Sequence, residues 1–124
     1  MIAVAKRQRF EGARYQIVGE VSKQAGIYEV INFPYDGTAL TLTGLTIKAT
    51  FRRCPDDTSA DVTLSTGTNI TITDADTLTF AATPAQLDSL CEGAYYFDIA
   101  TSNGSVTTHL ASGQVSVHET PVAI

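Results

Sequence analysis

From Leu45 to Arg53 the chain alternates residue by residue. Leu45, Ile47, Ala49 and Phe51 are apolar, and Thr46, Lys48, Thr50 and Arg52 between them are polar. A period of two puts successive side chains on opposite faces of an extended strand, whereas a helix scatters this pattern around its circumference. The same alternation recurs downstream on even positions, at Val62 and Leu64, Ile70 and Ile72, and Leu78 and Phe80. Ser65-Thr66-Gly67-Thr68 and Asp74-Ala75-Asp76 separate these pairs, so a meander of three short strands joined by tight turns is expected.

The flanking segments extend this reading. Tyr15 to Val21 alternates weakly, and Ile27 to Phe33 reads as a strand ended by Pro34 and Tyr35-Asp36-Gly37. Tyr95, Phe97 and Ile99 share one strand face, and Ser102-Asn103-Gly104 reads as a hairpin turn. On the return strand the apolar positions shift from Val106 and Leu110 to Val115 and Val117. That change of parity requires one inserted residue, expected as a bulge at Ser112-Gly113. Thr83-Pro84-Ala85-Gln86 carries the one strong helix signal, a capping box with proline at the first helical position. A short helix near residues 84–91 follows, with Leu87 and Leu90 packed on the sheet and Gly93 ending it.

Seven or more short strands at this spacing predict an all-β fold, an antiparallel immunoglobulin-like β-sandwich with one short helix. The expected organisation is an N-terminal arm over residues 1–14, one sandwich domain over 15–118 and a C-terminal tail over 119–124. Thr fills about one position in seven and Trp is absent, a composition suited to strands.

Charge is unevenly distributed. Residues 1–23 hold five cations, Lys6, Arg7, Arg9, Arg14 and Lys23, against Glu11 and Glu20. From Cys54 onward there is no Lys or Arg, while nine acidic residues occur. A net charge of −5 argues against nucleic acid as a partner, because phosphates are repelled over most of the surface. No apolar run approaches the roughly 18 residues that span a bilayer, so no membrane partner is expected. The first seven residues lack the order of a secretion signal, and folding in a cytoplasm is the expectation. Reduced thiols are then the default for Cys54 and Cys91. Both fall at the ends of predicted elements, which keeps a disulfide between them as the alternative.

The residues supply little for chemistry. A Ser-His-Asp set can be drawn from Ser112, His109 and Asp98, but any serine-rich sandwich offers such triples. Asp56, Asp57, Asp61, Asp74 and Asp76 lie in loops without the regular spacing of a calcium site, and turn-forming aspartates explain them. No catalytic, cofactor or metal residues are expected. Candidate interface residues are Lys6, Arg7, Arg9, Phe10 and Arg14 in the arm, and Tyr96, which points away from Tyr95 and Phe97.

Beyond these patterns, an ordered set of residues stands out. It runs from Asp36-Gly37 through Leu42-Thr43-Gly44 and the strand ending Phe51-Arg52-Arg53 to Leu64-Ser65-Thr66 and Ile70-Thr71-Ile72. It continues with Thr83 to Leu87, Leu90, Gly93-Ala94-Tyr95-Tyr96-Phe97-Asp98-Ile99 and Gly113-Gln114-Val115-Ser116-Val117. In order and spacing this resembles a group of small tailed-bacteriophage structural proteins, including the N-terminal domain of upper baseplate proteins. Residue 41 is Thr where that group often has Asp, and the match covers roughly residues 27–118. The resemblance implies a non-catalytic virion component of baseplate, tail-fibre attachment, neck or capsid decoration. It further implies assembly in the host bacterial cytoplasm, other virion proteins as partners and a homo-oligomer within a symmetric particle. The alternative is a carbohydrate-binding module or receptor-binding accessory domain.

Overall fold

A computed structural model describes residues 2–6, 15–34, 40–54 and 60–118. Among the described residues nine strands form two sheets: β1 (Ile2–Lys6), β2 (Tyr15–Ser22), β3 (Ile27–Asn32), β4 (Thr46–Arg52), β5 (Val62–Ser65), β6 (Ile70–Asp74), β7 (Thr77–Ala82), β8 (Gly93–Ser102) and β9 (Thr107–His118). One sheet runs β1-β2-β9-β8-β4-β5 and the other β3-β7-β6. With β3 as the second strand of an immunoglobulin domain, these orders reproduce its B-E-D and G-F-C-C′ sheets. The all-β sandwich is the architecture of the chain.

Strand alternation places the core where the sequence put it. Ile47, Ala49 and Phe51 of β4, Tyr95, Phe97 and Ile99 of β8, and Leu78 and Phe80 of β7 are buried. Phe97 is the hub. Its ring lies 4.7 Å from Phe51 in its own sheet and 6.3 Å from Phe80 in the facing one. Tyr15 packs against Phe33 in a tilted pair, ring centroids 5.1 Å apart, and donates its hydroxyl to the Pro34 carbonyl.

Four expectations are corrected. Residues 2–6 are no irregular arm: they form β1, antiparallel to β2 with Ile2 opposite Gly19. Burial of Ile2 in the common core accounts for this. The sandwich is not wholly antiparallel, since β2 runs parallel to β9 from Tyr15↔Ala111 to Ser22↔His118. A parallel pair needs a long connection, and here that connection is the rest of the domain. The bulge lies at Leu110 and not at Ser112-Gly113, because Ile99 pairs with Ala111 while Ala100 pairs with His109. Leu110 and Ala111 are consecutive and both buried, which only an inserted residue permits. Val106 lies in the hairpin loop before β9 and is exposed. Finally, the helix is a single 3-10 turn, Pro84–Leu87, that retains the full capping box.

Gly113 has a role the sequence did not disclose. A Cβ there would collide with the carbonyl oxygen of Ile17, its partner across the parallel seam. Glycine is required for β2 and β9 to approach.

Candidate functional site

Tyr96 occupies the outer face of the six-stranded sheet. Pairing registers set it in a row across four strands, Arg52 of β4, Tyr96 of β8, Gln114 of β9 and Val18 of β2. The adjacent row is Thr50, Asp98, Ser112 and Gln16. Arg52 Nη1 donates to Thr50 Oγ1 at 2.8 Å and faces Asp98 Oδ2 at 3.7 Å. On the far side of the face, Glu20 Oε1 meets His118 Nε2 at 3.2 Å. Val18 is 54% exposed, a large apolar side chain in the open part of this face. Tyr96 is half-buried among these neighbours.

The outer face of the three-stranded sheet differs in chemistry. Tyr28 and Val30 of β3 are 75% and 60% exposed, opposite Ala81 and Thr79 of β7. Thr79 shares a 2.8 Å hydroxyl contact with Thr73 of β6. Tyr28, Val30, Thr73, Thr79 and Ala81 carry no charge, so this is a flat, methyl-rich surface with one aromatic ring.

At one end of the sandwich, Tyr95 Oη accepts the Cys91 backbone N–H at 2.9 Å. The Arg53 guanidinium lies over the Tyr95 ring, 4.7 Å from its centroid. Tyr95 chiefly holds Arg53 charged beyond its ordinary range; desolvation opposes it, and a lesser hydrogen bond with Cys91 adds to it. Cys54 and Cys91 are both exposed and no disulfide joins them.

The sequence-derived triple of Ser112, His109 and Asp98 does share the outer face: Asp98 stands opposite Ser112, and His109 opposite Ala100. The Asp98 carboxylate faces the Arg52 guanidinium there. Among the described residues there is no group of three or more His, Cys, Asp or Glu able to hold a metal ion. A shallow depression of about 290 Å³, lined by Thr46, Lys48, Ala100, Ser102 and Thr107 among others, opens beside the β8–β9 hairpin. No helix among the described residues is long and apolar enough to cross a membrane.

Of the expected interface residues, Arg7, Arg9, Phe10 and Arg14 lie outside the described residues, as does the side chain of Lys6. Tyr96 lies on the outer face with Asp98, opposite to Tyr95 and Phe97. Sequence reasoning missed Val18, which alternation marks as outward-facing on β2 but whose neighbours come from the parallel β9. It also missed Asn69, a buried polar residue that bonds Ala81 O at 3.2 Å and Gln86 Oε1 at 3.0 Å.

No family model matches the chain, and no curated protein matches it. Among solved structures, it is similar to a DUF4784 family protein from Bacteroides caccae, at 12% identity and a TM-score of 0.41. The likeness covers 97% of this chain, and the chain spans about a quarter of that protein's length, 24%.

Proposed function

We propose that this chain is a non-catalytic structural protein of a tailed-bacteriophage virion, acting through protein–protein interfaces and assembled in the host cytoplasm. The observation that carries the reading is the ordered residue set described from the sequence. Apart from Asp36-Gly37, which lie outside the described residues, its members fall on consecutive parts of one immunoglobulin-like sandwich. Gly93–Ile99 opens β8, Gly113–Val117 closes β9 beside it, and the capped turn at Pro84–Leu87 leads into them. Two open sheet faces, one around Tyr96 and Val18 and one around Tyr28 and Val30, give such a domain surfaces for neighbours. Symmetric repetition multiplies modest contacts of this kind into a stable particle.

The test is mass spectrometry of purified particles from the phage or prophage whose genes flank this one. The chain is expected in the particle at a fixed copy number, with terminase, portal and tail genes beside its own. Its absence from intact particles overturns the reading. One observation favours a second reading as a carbohydrate-binding module: the 75% exposed Tyr28 ring on an uncharged face. Reproducible glycan-array binding that disappears in Tyr28→Ala would establish it.

A further inference from the structure

We propose that the outer face of the six-stranded sheet is a self-association surface, on which a second copy of the chain packs face to face about a two-fold axis parallel to the strands. This deepens the symmetric repetition of the proposed function by naming the face through which copies meet. It depends on that reading only for the expectation of self-association.

Size separates this face from the other. Strands lie about 4.8 Å apart and rise about 3.3 Å per residue. Six strands, taken over roughly six residues each, therefore offer about 600 Å² in projection. Three strands offer roughly half of that. A standard interface covers about 800 Å² of accessible surface per partner, which the larger face approaches and the smaller one does not.

Charge selects the occupant. The chain carries −5 overall, so copies repel one another over most orientations. Among the described side chains the large face is locally neutral, with Lys48 and Arg52 balanced by Glu20 and Asp98. It is also polarised: both cations are on β4, while Glu20 is on β2 at the opposite side of the sheet. A two-fold axis between β8 and β9 lays β4 of one copy over β2 of the other. Tyr96 then faces Gln114 of the second copy, and Arg52 faces Val18 one row from Glu20. Diagonal neighbours across a sheet are within reach of long side chains, and the symmetry makes each such contact twice. Tyr96 and Gln114, next to the axis, supply the uncharged centre that interface cores require.

The experiment is sedimentation equilibrium of the full chain and of three exposed-face variants, Val18→Lys, Gln114→Lys and, as control, Val30→Lys on the other sheet. Each is first checked for an unchanged thermal midpoint. The expected result is a dimer of the parent chain whose dissociation constant rises at least tenfold in V18K and Q114K and stays unchanged in V30K. A parent chain that is monomeric at about 100 µM overturns the proposal, as does a dimer disrupted only by V30K or equally by all three. Either failure leaves the virion reading standing, because particle composition is measured separately.

Discussion

Tyr95 accepts the backbone N–H of Cys91 through its hydroxyl at 2.9 Å, four residues back along the chain. This is the tyrosine corner of immunoglobulin-like folds, in which a tyrosine near the start of the sixth core strand anchors the loop before it. Two residues on, where many such domains place the second cysteine of their inter-sheet disulfide, this chain has Phe97. Hydrogen bonding fixes the corner and aromatic packing replaces the covalent bridge.

Tyr95→Phe keeps the ring, and with it the contact to Arg53, but leaves the part-buried Cys91 N–H without its acceptor. Because Cys91 is exposed and water can reach its N–H, the loss is that of a net hydrogen bond, about 0.5–1.5 kcal/mol. Urea unfolding should show a lower midpoint with an unchanged slope. A midpoint equal to that of the parent would show that the corner bond contributes nothing.

Phe97→Ala removes the ring that joins both sheets through Phe51 and Phe80. Buried Phe→Ala replacements cost about 3–5 kcal/mol, and the site sits in rigid strands with little room to collapse. The loss should exceed that of Tyr95→Phe in the same urea experiment. If the two variants unfold at the same midpoint, the hub role of Phe97 is wrong.

Two glycines separate steric from conformational demand. Gly104 lies at φ +97° in the hairpin loop, and a Cβ added there would meet nothing within 4 Å. Gly104→Ala therefore costs backbone strain alone, about 1–2 kcal/mol. Gly113 has no such φ, but its Cβ would meet the Ile17 carbonyl, and Gly113→Ala must part the β2–β9 seam. Circular dichroism and thermal unfolding should find G104A folded and mildly destabilised, and G113A either unfolded or destabilised severalfold more. Equal behaviour of the two would refute the close-approach account.

The parts legible in the sequence are those governed by near neighbours. Alternation identified the inward residues of β4, β7 and β8, and the Thr83–Gln86 capping box was readable because both of its hydrogen bonds lie within four residues. What long-range pairing decides was not legible. Ile2–Lys6 is too short to declare itself a strand until β2 is beside it. The parallel seam, the need for glycine at 113 and the outward row from Arg52 to Val18 all depend on β2 meeting β9, about 95 residues away. Parity located a bulge on the last strand but misplaced it, because Leu110 and Ala111 are both apolar and either parity fits them. Nothing local marks Asn69 as buried, because its burial depends on the capped turn 17 residues on.

Gln86 is the most consequential polar side chain of that turn. Its Oε1 accepts from the Thr83 N–H at 2.9 Å and from Asn69 Nδ2 at 3.0 Å, linking the cap to a buried amide under the β5–β6 turn. Thr83→Ala removes one capping acceptor at an exposed site, a loss of about 1 kcal/mol. Gln86→Ala strips the cap and also deprives buried Asn69 of an acceptor, so it should cost about 1 kcal/mol more than Thr83→Ala. A double-mutant cycle with Asn69→Ala isolates the shared part. If Asn69 and Gln86 act as one unit, the double variant loses less than the sum of the singles by at least about 0.5 kcal/mol. Strict additivity would mean that the buried amide and the cap are independent, and that the turn packs on the sheet through Leu87 and Leu90 alone.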